Sequence, residues 1–304
     1  NNIIIGNSGS NILSGLEGDD RLTPGAGNNI VDGGVGNDTM VLGGARASYT
    51  VYAVSAPGQT TQFYFYGTGN ASRGNGIESV TFADTSTSWS TATNGARAFD
   101  LLRYVASNRD LIVAFGTNTT SAAIHFNNEG FLENRSFTSF DALRYVASHR
   151  DLVFAFGTNI TNATTHYIQY GFGEGRSTTS FDALRYVASN RDLIAALGPD
   201  GNRATLHYIQ FGAAEGRSTS SFDAVRYLCS YTDLLGAFGP NLEAATRHFI
   251  QYGSAEGRNP NAFQPLQYLA ANRDILFAIG IDGDRAQQHY LNFGFTEGRP
   301  TRFD

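Results

Sequence analysis

Apolar positions along this chain keep two different periods, separated by a stretch of alternation. Through the first 45 residues one large aliphatic side chain recurs every nine, at Leu13, Leu22, Val31 and Met40, with Ile4 in the same frame. Glycine, asparagine and aspartate fill the intervals. One inward residue between glycine-rich turns predicts very short strands, one per nine residues. From 46 to 90 the pattern alternates: Tyr49, Val51 and Ala53 interleave with polar neighbours, and Phe63-Tyr64-Phe65-Tyr66 is aromatic, so half-buried strands are expected. Residues 85–95 are rich in Ser, Thr and Gly and read as a linker.

From about residue 96 the period becomes 41. Phe99, Phe140, Phe181, Phe222 and Phe263 keep it, as do Tyr104, Tyr145, Tyr186, Tyr227 and Tyr268. So do Asp110, Asp151, Asp192, Asp233 and Asp274, and His125, His166, His207, His248 and His289. Each unit predicts three short helices. Capping boxes place the first start at Thr138, Thr179, Ser220 and Asn261, with Arg97 making the first unit atypical. Boxes ten residues later place the second start at Ser107, Ser148, Ser189 and Ser230. That helix is expected to stop at Gly116, Gly157, Gly198, Gly239 or Gly280, and the third at Gly130, Gly171, Gly212, Gly253 or Gly294. Helices this short are marginal alone, so stacking of units must supply the core.

The fold class expected is multidomain β + α. A short parallel β-roll (1–45) is followed by a β cap and linker (46–95) and an all-α array of five 41-residue repeats (96–304). The first nonad opens in mid-repeat and a sixth helical copy begins at Phe303-Asp304, so the chain is expected to be part of something longer.

Composition narrows the chemistry. The net charge is −6 and the basic residues are scattered, which argues against a nucleic-acid partner. All 21 basic residues are arginine, so lysine Schiff-base and P-loop chemistry are excluded. No apolar run approaches the ~18 residues of a membrane span. The one cysteine, Cys229, cannot form an internal disulfide and is expected to be a buried small hydrophobe. Stability outside a cell must then come from packing, repetition or metal.

Position six of each nonad reads Asn11, Asp20, Asn29 and Asp38, preceded by the turn glycines Gly9, Gly18, Gly27 and Gly36. Carbonyls gathered by glycine turns, with one carboxylate, make the all-oxygen cage that calcium prefers. Asp20 and Asp38 are the strongest candidate ligands, and the neutral Asn11 and Asn29 are expected to make weaker sites. The run Gly33-Gly34-Val35-Gly36-Asn37-Asp38-Thr39-Met40-Val41 resembles the nonapeptide of RTX proteins. That resemblance implies a parallel β-roll that folds on calcium outside the cell, and export by type I secretion. The segment 76–84 is similar to the strand that commonly follows such nonads and is expected to cap the roll's open end. The 41-residue units resemble helical repeats found beside RTX nonads in large bacterial surface proteins, which implies extracellular structural or interaction work.

Other chemistry is weighed and set aside. One histidine per unit, on helices ~8–10 Å apart, cannot share a zinc bound at ~2 Å. Each is expected to be a core or inter-repeat histidine bonded to backbone, with His149, outside the series, a surface substitution. Glu133, Glu174, Glu215, Glu256 and Glu297, each two residues before an arginine, predict a repeated ion pair or turn contact. Asp282-Gly283-Asp284 is no EF-hand, since its twelfth position is Phe293. The loops at 117–122, 158–163, 199–204, 240–245 and 281–286 vary most between copies, and drift is the simpler reading of that variation. No catalytic motif is present, so the expectation is a non-enzymatic, calcium-binding structural or adhesive region at a bacterial cell surface. Self-assembly or a surface polysaccharide would supply its partner. The rivals are an accessory region of a secreted enzyme and a glycan-binding module.

Overall fold

The computed structural model describes residues 1–302, so the sixth copy expected at Phe303-Asp304 lies outside the described residues. The chain divides into two compact units. One comprises Asn1–Asp141 and Thr164–Arg176, the other Ala142–Ala163 and the chain from Ser177 onward. No described helix is long and apolar enough to cross a membrane.

The first unit holds the strands β1 (Ile3–Ile5), β2 (Ile12–Ser14), β3 (Arg21–Thr23), β4 (Gly27–Asp32), β5 (Thr39–Val41), β6 (Thr50–Val54), β7 (Gln62–Gly67), β8 (Asn70–Asn75), β9 (Ser79–Thr81), β10 (Ser86–Ser88) and β11 (Arg97–Ala98). Successive nonads feed alternate sheets. One sheet runs β1-β3-β5-β9-β10 and the other β11-β6-β7-β8-β4-β2. The pairing within the nonads is parallel at an offset of 18: Ile4 lies beside Leu22, Leu22 beside Met40, and Leu13 beside Val31. Position eight therefore always points inward. Leu22, Val31 and Met40 are fully buried with Phe65 and Val80, which is the hydrophobic reason for the nine-residue period.

The expected cap is present: β9 continues the first sheet in parallel with β5. The second sheet is extended by β8, parallel to β4, and then by antiparallel β7 and β6. Residues 85–95 are not a linker. They carry β10, antiparallel to β9, and helix α1 (Trp89–Thr93), whose Ala92 is fully buried. Trp89 lies 5.5 Å from Phe65. Ser and Thr dominate the local composition, and they hide one large apolar residue that fixes the segment to the core.

The first repeat contains α2 (Leu101–Ala106), α3 (Arg109–Phe115) and α4 (Thr119–His125), and continues as a π-helical turn over Phe126–Gly130. Sheet and repeat are joined by polar contacts. Tyr64 donates its hydroxyl to Asn127 Oδ1 at 2.7 Å, and Arg73 reaches the Asn127 carbonyl at 2.5 Å. Phe99, Phe126 and Phe131 gather around Tyr64 and Tyr66.

The second unit repeats this pattern: Ala183–Ser189, Arg191–Leu197 and Gly201–His207 lead to a π-turn at Tyr208–Gly212, and two further copies follow. The caps differ from expectation. Asp100, Asp182 and Asp223 cap the first helix of their units by accepting the amides of Arg103, Arg185 and Arg226. The helix thus starts three residues later than the capping boxes suggested, and the first unit is typical, capped by Asp100. The serines expected to cap the second helix instead accept an amide from the next copy. Phe222 donates its amide to Ser189 Oγ at 3.0 Å, and Phe263 donates to Ser230 Oγ at 2.9 Å. A Ser-x-x-Asp sequence looks the same whichever amide the serine takes.

Arginine completes the junction. Arg185 donates from Nε to the Phe222 carbonyl at 2.8 Å and from Nη2 to Ser220 at 2.9 Å. Asn190 Nδ2 bridges Tyr186 of its own copy to Ser218 of the next. His149 does the same work as that asparagine, with Nε2 2.8 Å from the Ser177 carbonyl, so it is a functional replacement at a junction rather than a free surface change.

The second helix ends as expected, at glycines of positive φ such as Gly116 and Gly239. Gly130, Gly212 and Gly253 have another cause. A Cβ there would fall 2.1 Å from the hydroxyl of Tyr104, Tyr186 or Tyr227. The third helix with its π-turn does end at these glycines, as expected, and there they make room for a buried tyrosine.

Candidate metal centre

The nonad turns fall on two sides of the roll. Turns carrying Asp20 and Asp38 connect β2 to β3 and β4 to β5, the turn carrying Asn11 connects β1 to β2, and Asn29 lies near the start of β4, just past the β3–β4 turn. The eight candidate residues are thus split, with Gly18 and Gly36 beside the aspartates and Gly9 and Gly27 beside the asparagines. Gly18, Gly27 and Gly36 have positive φ, as a carbonyl-gathering turn requires, but Gly9 does not.

One atom of the position-six side chains Asp20, Asn29 and Asp38 does the same job. Asn29 Oδ1 accepts the Asn11 amide at 2.9 Å, and Asp38 Oδ1 accepts the Asp20 amide at 2.8 Å. Asp20 Oδ1 likewise accepts the Asn2 amide, and Glu78 Oε2 accepts the Asp38 amide at 2.7 Å. This ladder ties each turn to the one stacked on it.

The second atom separates the two sides. Asp20 and Asp38 are buried, and their Oδ2 atoms have no hydrogen-bond partner. A Cβ added to Gly15 would meet both Asp20 Oδ2 and the Gly33 carbonyl at 2.4 Å. One added to Gly33 would meet Asp38 Oδ2 at 2.6 Å and the Gly76 carbonyl at 2.0 Å. A buried anionic oxygen facing a carbonyl needs a positive partner, since acceptors cannot satisfy one another. The donor set is hard oxygen throughout, which fits calcium. Among the described residues no three His, Cys, Asp or Glu side chains converge on a metal position, so main-chain carbonyls would supply most ligands.

The other candidates are structural. His125, His207, His248 and His289 each bond a tyrosine of their own copy, as Tyr104 with His125 Nδ1 at 2.8 Å and Tyr186 with His207 Nδ1 at 2.9 Å. The Glu-x-Arg positions form the expected ion pairs, and Arg135, Arg217, Arg258 and Arg299 also hold the aspartate of the same copy, as Arg217 does with Glu215 at 2.5 Å and Asp192 at 2.7 Å. Cys229 is buried, and desolvation pushes its thiol up to about 12. Asp282 caps the helix Gly283–His289. Asn118, Asn159, Asp200 and Asn241 cap the third helix in the same register, a 41-residue signal inside the variable loops that sequence reading missed.

Comparison with known families places four copies of the RTX calcium-binding nonapeptide repeat at residues 5–40. No curated protein matches the chain. The nonads are therefore calcium-binding repeats, and the aspartate-lined turns lie within the matched span.

Proposed function

We propose that this chain is a non-enzymatic region of a secreted bacterial protein, in which calcium rigidifies the β-roll and the helical units supply spacing at the cell surface. A surface layer, sheath or matrix component fits best, with a second copy or a surface polysaccharide as partner and type I secretion as the export route. The observation that carries this reading is the pair of buried, partnerless oxygens, Asp20 Oδ2 and Asp38 Oδ2. Such a site stays empty in the cytoplasm's low calcium and fills outside, where modules of this chemistry work at ~10⁻⁴–10⁻³ M. The test is negative-stain microscopy with light scattering in millimolar calcium and in excess chelator. Sheets or filaments that need calcium are the expected result. A monodisperse particle in both conditions moves the role to an accessory region of a secreted enzyme.

One observation supports a glycan-binding reading as well. Phe211, Tyr252 and Phe293 stand at a 41-residue spacing, each more than half exposed, on successive π-turns. Aromatic faces at regular intervals suit stacking on sugar rings. Silence across neutral and acidic surface glycans on an array would remove this reading.

A further inference from the structure

We infer that calcium loads only one side of the roll, and that on the other side the side-chain amides of Asn11 and Asn29 stand in the place of the ion. This rests on the reading that the aspartate side binds calcium.

The two sides are built alike up to one atom. On both, position-six Oδ1 accepts the amide of the turn stacked before it. On the aspartate side the remaining atom is an oxygen without a partner. On the asparagine side it is an N–H₂ surrounded by acceptors. Asn11 Nδ2 donates to the Gly9 carbonyl at 2.6 Å, to Pro24 at 3.1 Å and to Asn29 Oδ1 at 2.9 Å. Asn29 Nδ2 donates to Ala26 and Gly27, both at 3.1 Å, and lies 3.4 Å from the Ala71 carbonyl.

The position of Pro24 in its nonad is that of Gly33 in the aspartate turn. The same carbonyl therefore faces an amide donor on one side and a bare carboxylate oxygen on the other. Every neighbour of these nitrogens is an acceptor, so the amide orientation is fixed by its surroundings. Asn29 has no solvent exposure, and its N–H groups already satisfy the carbonyls that would ligate a cation. Calcium could enter only by displacing a neutral donor, with no carboxylate to hold it. The asparagine side is thus formed without metal, and its turns can template the aspartate side before the ion arrives.

Calcium stoichiometry by native mass spectrometry on the whole chain tests this. The wild type is expected to bind one ion per buried aspartate. Asp20→Asn with Asp38→Asn is expected to abolish binding while the roll stays folded in chelator. Asn11→Asp with Asn29→Asp is expected to bind more calcium than the wild type and to lose the roll's structure in chelator. Calcium retained by the Asp20→Asn, Asp38→Asn protein overturns the inference, as does an unchanged count in the Asn11→Asp, Asn29→Asp protein. A wild type that binds no calcium instead removes the reading of the aspartate side. The asparagine side is then judged by hydrogen exchange of the Asn11 and Asn29 side-chain amides in chelator, where slow exchange supports closure and fast exchange overturns it.

Discussion

The Tyr186 hydroxyl lies 2.9 Å from Nδ1 of His207, and Tyr186 itself has no solvent exposure. The same pair recurs between Tyr227 and His248 at 2.9 Å and between Tyr268 and His289 at 2.7 Å. Desolvation by burial pushes Tyr186 and Tyr268 up to about 12. An unfolded tyrosine ionises near ~10. Their contribution to stability is therefore complete below pH ~10 and is lost as the pH climbs toward about 12, because only the unfolded chain releases the proton in that window. Thermal midpoints followed by circular dichroism should be level to pH ~10 and then fall. Tyrosinate absorbance should rise in two stages, the second coinciding with loss of helix.

Gly212→Ala places a Cβ where it would meet the Tyr186 hydroxyl at 2.1 Å. Overpacking of this kind costs roughly 1–3 kcal/mol. Gly201→Ala is the matched control, since its Cβ would meet nothing closer than 3.7 Å and it opens a helix. Urea unfolding should show Gly212→Ala shifted to a lower midpoint and Gly201→Ala unchanged or slightly raised. Equal midpoints for the two variants would remove the role given to the tyrosine.

Arg185→Lys keeps the charge but not the fork that reaches the Phe222 and Ser220 carbonyls together. A loss of about 1.5–3 kcal/mol is expected, the worth of one charge-assisted hydrogen bond. A broadened urea transition, with a lower m-value, would show that neighbouring copies have partly uncoupled. His149→Asn restores the residue type found at Asn108 and Asn190 and should leave the midpoint within about 0.5 kcal/mol.

Trp89 is the one tryptophan in the chain and packs against Phe63 and Phe65 beside the roll. Its fluorescence therefore reports on the β layers, whereas ellipticity at the helical bands reports mainly on the repeats. Chelator should shift Trp89 emission to the red, and calcium should restore it. Helical ellipticity in the second unit's repeats should change little. A loss of both signals together at one chelator concentration would mean that the repeats depend on the metal too.

The two periods were legible because each marks a buried residue: Leu22 and Met40 recur every nine positions, and Tyr186 and Tyr227 every 41. The aspartates were legible as ligand candidates by residue type alone. What the asparagines do was not, since the difference from Asp38 lies in which neighbours face the second atom of Asn29, and those neighbours come from other turns. Ser189 and Ser230 were misplaced for the same reason, as their partner amides lie 33 residues ahead. Gly212 was legible as a helix end, but nothing local records the tyrosine hydroxyl that requires a glycine there.

The junction bonds of Arg185, Ser189 and Asn190 run at fixed offsets: Arg185 reaches 35 and 37 positions ahead, Ser189 33 and Asn190 28. None of these offsets extends beyond one period of 41. Removing or adding a whole period would leave every partner at its former distance along the chain, whereas a cut of any other length would break all of them. The gene can therefore change the reach of the protein in whole steps, by unequal recombination between copies, without redesigning a junction.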